Sequence, residues 1–411
     1  MSSRRDFLRF SGLAALGLAA ARRRARARPR AAGDDHPVAP TSASDEGVSL
    51  FLCGDVMTGR GVDQILARPS VPGLHESWIR SAVDYVKLAE RENGPIPRSV
   101  APAYIWGDAL DELDRRCPDV RMINLETSVT TSEDWKPKRI NYRMHPDNVE
   151  CITAGAVDCC VLANNHVLDW GNAGLLETLT TLRRAGLATV GAGKISAEAE
   201  APAVLEIAGS RRLLLWAWGT TTSGIPRDWQ ATESRPGVNL LPDLSTATAR
   251  RIASDISRKR RPADRVGVSI HWGGNWGYDI PARQRDFAHT LIDEAGVDFI
   301  HGHSSHHPKG IEVYRERPIL YGCGDFINDY EGIGGYEEYR SELVFGYLIR
   351  LEATSGCLLT LELIPFRTRR FRLEAATAEE AAWLRETLDR ESSSFGAGVR
   401  SDADDRLWLR W

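Results

Sequence analysis

"VSLFLCGDVM", residues 48–57, reads as a buried strand that runs into a glycine turn and then a carboxylate. Taken alone, Asp55 is as well explained as the cap of a following helix. The same pattern returns along the chain, however. "MINLET" ends an apolar run at Glu126, and "VLANNHVLDWG" ends one at Asn164, Asn165 and His166. "VGVSIHWGG" stops at His271, and "VDFIHGHSSHHPKG" closes with His301, His303, His306 and His307. In open α/β sheets the loops that follow strand ends converge and hold ligands. The recurrence therefore predicts an α/β fold whose strand ends build one site. Helical periodicity lies around Ser77–Glu92, Trp106–Arg116, Ala173–Ala185, Ser245–Arg261 and Arg283–Ala295. "PAVLEIAG" and "RRLLLWAWG" read as a hairpin, and "GIEVYRERPILYGCG" as another that turns near Glu316. Antiparallel strands over Phe345–Leu373 and a helix over Thr377–Arg390 follow. Early βα alternation followed by antiparallel strands predicts two packed sheets with helices outside.

The polar ends supply Asp55, Glu126, Asn165, His166, His271, His303 and His306. That mixture of carboxylate, amide and imidazole suits a divalent metal such as Mn, Zn or Fe, as one or two ions. Each residue also has an ordinary explanation. Glu126 reads equally as a surface acid, Asn164 and Asn165 as turn residues, and His271 as a ring packed on Trp272. His166 is better explained by function, because it follows two Asn and precedes Asp169-Trp170-Gly171. His301 shares a strand face with His303 and is expected behind it, whereas His307, next to Pro308, is expected to point away. His36, His75, His145 and His289 sit in linker or helical contexts and receive no role. Trp272, Trp276 and Tyr278 form either a stacking platform for substrate or an aromatic-lined core.

The chain has 411 residues, 42% of them hydrophobic, enough for a large core. Its first thirty residues carry nine Arg against one Asp, so with a net charge of -4 the remainder carries about -12. An acidic body excludes nucleic acid as a partner, since phosphate binding needs a basic surface. Any polyanion bound there needs a metal or local cations to offset repulsion, and Arg60 and Lys309 are the candidates. Seven cysteines without CxxC spacing read as small buried residues. Ser3-Arg4-Arg5-Asp6-Phe7-Leu8-Arg9 matches the twin-arginine export pattern, followed by "FSGLAALGLAAA", too short to span a bilayer as a helix. These features predict a signal and basic arm over 1–32, a linker over 33–47, one main domain over 48–375, and a C-terminal helix and tail over 376–411.

"GDVMTGR", "NLE", "ANNHVLDWG" and "GHSSHHPKGIEVY", in this order over roughly Ser49 to Asp329, resemble the CapA family of poly-γ-glutamate capsule biosynthesis proteins. That family looks like a branch of the calcineurin-like metallophosphoesterase superfamily. The resemblance implies a four-layer α/β/β/α sandwich of the metallo-dependent phosphatase type. It implies Asp55, Glu126, Asn165, His271, His303 and His306 as metal ligands, with Glu126 in the bridging position. It makes His166 the histidine that steadies substrate or leaving group; from their places beside these motifs, Asp169 is expected to orient it as the second catalytic residue, and Asn164, Arg60 and Trp272 are expected on the substrate side. Met57 stands where the superfamily has a His ligand, so one of two metal positions is short unless Asp325 or Asp329 compensates. The activity implied is metal-dependent hydrolysis of an amide or phosphoester; the alternative is a non-catalytic assembly or export protein on the same fold. The partners implied are an anionic envelope polymer or phosphoester and membrane-bound polymer synthesis machinery. The location implied is the periplasm or cell envelope, with the N-terminus cleaved or kept as an anchor.

Overall fold

The computed structural model describes residues 47–207 and 211–411. The twin-arginine arm and most of the expected linker lie outside the described residues. One sheet runs Gly398–Ser401, Leu407–Arg410, Leu358–Arg369, Leu343–Glu352, Gly47–Val56, Val120–Leu125, Cys159–Val161 and Ala188–Val190. Arg372–Ala375 pairs with Leu358–Arg369, and Asp325–Ile327 pairs with the end of Gly47–Val56. The second sheet runs Ile311–Tyr314, Arg317–Leu320, Phe299–His303, Arg265–His271, Arg211–Gly219 and Ala203–Ile207. From Gly47–Val56 to Ala188–Val190 the first sheet is parallel, as is the second from Arg211–Gly219 to Arg317–Leu320.

Successive strand side chains go to opposite faces, and this alternation generates the layers. Leu50 and Leu52 join Met122, Cys159, Leu213, Leu215 and Phe299 in a core between the sheets. Phe51, Cys53, Ile123 and Cys160 pack instead with Val86, Leu113, Leu175 and Leu179. Those four come from helices Ala82–Asn93, Ala109–Arg116 and Gly171–Arg184. On the far side, Leu214, Trp216, Val266 and Val268 meet Ile252, Ile256, Phe287 and Leu291 of helices Thr246–Lys259 and Ala282–Ala295. The order is helix, sheet, sheet, helix, the four-layer sandwich expected. Each fully buried Leu or Phe contributes about 1.5–3 kcal/mol. Apolar layers hold the sheets together, which leaves their polar ends free to carry ligands.

Both expected hairpins form, and the second turns through Arg315 and Glu316, each at positive φ. Helix Ala378–Ser392 starts at Thr377 with a reciprocal capping box to Glu380. Two expectations change. The segment after Ala376 is not merely helix and tail, because Gly398–Ser401 and Leu407–Arg410 extend the first sheet. Gly54 does not turn the chain; the strand continues through Val56. Its lack of a side chain lets Gly324 approach, since a Cβ there would lie 1.7 Å from the Gly324 carbonyl oxygen. The Asp55 N–H donates to that carbonyl at 3.0 Å. All seven cysteines are free, five of them buried. No described helix is long and apolar enough to cross a membrane.

Candidate metal centre

Register assembles the site. Asp55 lies opposite Asn124 on one side and Asp325 on the other, and His271 lies opposite His303. Two groups of ligand atoms result, each within 4.8 Å of one another: Asp55 with His271 and His303, and Asp55 with His306 and Asp325. All five residues are buried, and Asp55 belongs to both groups.

The protons of the first group are fixed from behind. The Cys53 carbonyl can only accept, so His301 donates from Nε2 at 2.8 Å. The neutral ring then accepts at Nδ1 from the Ser269 hydroxyl at 3.0 Å. Ser269 Oγ in turn accepts from His303 Nε2 at 2.9 Å, which leaves His303 Nδ1 a bare lone pair. On the other side His271 donates from Nε2 to Asn165 Oδ1 at 3.0 Å, and its Nδ1 is bare as well. These two lone pairs face one another at 2.7 Å. Burial, and then the neighbouring rings, hold both histidines well below their ordinary range, so neither has a proton to fill the gap. Asp55 completes the set, its Oδ1 3.9 Å from His303 Nδ1 and its Oδ2 buried without a hydrogen-bond partner among the described residues. Two imidazole lone pairs and an orphaned carboxylate oxygen are donors that fit a divalent cation of the Mn, Zn or Fe type.

In the second group His306 Nδ1 donates to Asp325 Oδ1 at 2.8 Å, and Asn328 steadies Asp325 Oδ2 at 2.9 Å. Burial works against protonated His306, but the Asp325 charge and this hydrogen bond outweigh it and raise its pKa. Of the two aspartates expected to compensate for Met57, Asp325 is the one that joins a ligand group. Met57 is buried, its sulfur receiving only a long contact from the Tyr330 hydroxyl at 3.7 Å.

Glu126 lies in neither group. Its Oε1 is 3.8 Å from His166 Nε2 and 4.0 Å from His271 Nε2, and its Oε2 accepts from Asn124 at 3.1 Å. Burial, then Asp55, raises it well above the usual carboxylate range. His166 donates from Nδ1 to Asp169 Oδ2 at 2.6 Å, and Asp169 also accepts from the Tyr142 N–H at 2.7 Å. Burial lowers His166 to about 4 despite Asp169.

The residues expected on the substrate side are placed elsewhere. Arg60 is buried, bonded to Asp329, Glu76 and Tyr85, and covered by the Tyr85 and Tyr142 rings. These contacts tie Arg60 into the fold, and its charge still acts on His166 and His306. Asn164 uses its amide on Asn124, the Leu125 carbonyl, and the N–H groups of His166 and Val167, shaping the turn. Trp272 packs in the outer core with its indole N–H on the Tyr321 carbonyl at 2.9 Å. Lys309 is buried and donates to the Asp279 carbonyl. His307 turns to Trp276, Tyr278 and Tyr339, and His301 lies behind His303 as expected. A residue the motifs did not flag, Lys138, reaches the site from the loop before Asn141, with Nζ 2.8 Å from Asp169 Oδ1. The basic run Lys136–Pro137–Lys138–Arg139 in an acidic body was its only signal.

Proton linkage gives a first test. Burial, then Asp325, raises Asp55 to about 7 from an ordinary 3.8, so the folded chain holds that proton across this window. This contribution is present at low pH and is lost as pH rises through 7. His166, His271, His301 and His303 act oppositely: neutral in the fold, they take up protons on unfolding below about 6.5, so their contribution is lost as pH falls. Ligation needs Asp55 ionised, so metal affinity is expected to rise about tenfold per pH unit for each proton displaced, up to about pH 7. Calorimetric titration in buffers of different ionisation enthalpy measures the proton release. Affinity flat between about pH 5 and pH 7 contradicts the assignment.

A family model, "Bacterial capsule synthesis protein PGA_cap", matches residues 49–330. Two Mycobacterium tuberculosis proteins described as probable polyglutamine synthesis accessory proteins are 46% identical over 362 residues, covering 88% of this chain and 95% of each relative. A Bacillus subtilis protein described as PGA biosynthesis protein CapA is 27% identical, covering 76% of this chain and 70% of the relative. Among solved structures, a phosphatase from Mycoplasma pneumoniae overlays with a TM-score of 0.43 and 10% identity, covering 82% of this chain and 96% of that one. An overlay that loose carries no information about individual residues.

Proposed function

The chain belongs to the bacterial capsule synthesis protein family PGA_cap, and from that premise we propose that it is an exported accessory protein of poly-γ-glutamate or capsule polymer synthesis that hydrolyses an amide or phosphoester bond at its metal centre. The observation that carries the hydrolase reading is the pair of facing lone pairs on His271 and His303 beside the orphaned Asp55 oxygen. Asp55, His271, His303, His306 and Asp325 would hold one or two divalent ions, with Glu126 and Asn165 beside them. When bound, such an ion supplies Lewis acidity and a water activated near neutral pH.

The chain's own residues do the rest. Asp169 accepts the His166 Nδ1 proton and fixes that ring, so Nε2 is the atom that takes up a proton and passes it to the leaving group. Tyr142 packs edge-on against His166 with centroids 4.5 Å apart and limits its tilt. Export by the twin-arginine route and contact with membrane-bound synthesis machinery belong to the same proposal.

The test is to load the full chain with Mn or Zn and assay a phosphoester and poly-γ-glutamate. His166→Ala is expected to lower turnover by about 10²–10⁴-fold with metal content unchanged. One feature of the sequence favours a second reading, the non-catalytic assembly protein: Met57, a poor ligand, stands where the resemblance implies a histidine. Tight metal with no turnover on either substrate, in wild type as in His166→Ala, decides for that reading.

A further inference from the structure

We propose that Lys138 is a substrate-binding residue that takes up the negative charge lying beside the scissile bond. The proposal rests on the hydrolase reading of the same site and names the feature of the substrate that it recognises. Lys138 sits on the irregular stretch between strands Ser128–Val129 and Arg143–Met144, with its side chain 18% exposed. Its ammonium lies 2.8 Å from Asp169 Oδ1, donates to the Asn165 carbonyl, and lies 3.3 Å from His166 Nδ1. The Trp229 ring flanks it at 5.1 Å. Its charge also acts on Glu126 and His271, so it belongs electrostatically to the centre.

Two features argue against a purely structural lysine. His166 Nδ1 gives its proton to Asp169, so it cannot also accept from Lys138, and that contact sets donor against donor. The His166 and Tyr142 N–H groups serve Asp169 Oδ2, so Lys138 keeps Oδ1 and the Asn165 carbonyl as its two acceptors. An ammonium has three N–H donors, and an incoming anion can take the third, which His166 cannot accept, without displacing Asp169. The site needs such a cation, because Asp55, Glu126, Asp325 and Asp169 crowd around it. Arg60 is bound up with Asp329 and Glu76, and Lys309 with the Asp279 carbonyl. A compact ammonium on a flexible stem suits a carboxylate or a phosphate equally, and the experiment separates them.

Calorimetry on the full, Mn-loaded chain would compare oligo-γ-glutamate, the same oligomer with its α-carboxylates methylated, and phenyl phosphate. Lys138→Met is expected to weaken the anion it serves by about 10–100-fold and the ester by less than about twofold, and Lys138→Arg to retain most of the affinity. Loss confined to oligo-γ-glutamate assigns the carboxylate, and loss confined to phenyl phosphate assigns the phosphate. Lys138→Gln guards against a packing defect in the Met variant, with metal content and thermal midpoint measured for each. Equal affinities across wild type and variants, equal losses including the ester, or no binding in wild type each overturn the proposal. Lys138-dependent binding without turnover leaves it standing and removes only the hydrolase reading.

Discussion

Replacing Asp55 with Asn is expected to remove tight metal binding altogether, whereas Asp325→Asn removes only the part that involves His306. The difference follows from topology: Asp55 belongs to both ligand groups, and Asp325 to one. Loss of a direct ligand exceeds the 10–100-fold seen for supporting residues, so the drop for Asp55→Asn should be more than about 100-fold. Without metal the same change should do no harm above pH 7. There the wild-type chain buries an ionised carboxylate beside Asp325, and the amide relieves that repulsion. Metal titration of chelator-treated protein, with thermal midpoints at pH 8, reads both effects. One ion held by Asp55→Asn at wild-type affinity would sink the shared-ligand account.

Arg60→Met should unfold the chain more readily than any change at the metal centre. The guanidinium pairs with Asp329 and Glu76, and all three side chains are at most 1% exposed. Removing it strands two buried carboxylates, a loss of about 3–5 kcal/mol. Lysine cannot reproduce the two parallel bonds to Asp329, so Arg60→Lys should recover only part. Urea denaturation at pH 7 gives the number. Metal affinity should fall as well, because Asp329 anchors the segment that carries Asp325 and Asn328. A stability change under about 1 kcal/mol, accompanied by weaker polymer binding, would return Arg60 to the substrate side.

The layers and the ligating strand ends were legible because burial forces a simple pattern: apolar runs of one period, each stopped by polar residues. Asp55, His271, His303 and His306 are read from that punctuation alone. Asp325 was legible only as a residue at another strand end, because nothing local says which of Asp325 and Asp329 turns inward. Arg60 decides it, by holding Asp329 from 269 positions away. Lys138 was missed for a related reason. A lysine in a loop is usually a solvated charge, and only the return of the 130–142 stretch over Asp169 makes it part of the site. The two terminal strands escaped notice since four residues each are too few to display the period that marks a longer strand.

The register of the first strand also sets a timetable. Gly47–Val56 lies between Val120–Leu125 and Leu343–Glu352, with Phe51 opposite Leu348. Its outer neighbour is synthesised long after it, as are His303, His306 and Asp325. While the chain is growing, Asp55 waits without its ring partners, and no partial product holds a complete ligand group. Closing so distant a pairing is slow. An ion at this centre would therefore be bound only by a full-length chain, and the compartment in which the fold is completed would select the metal.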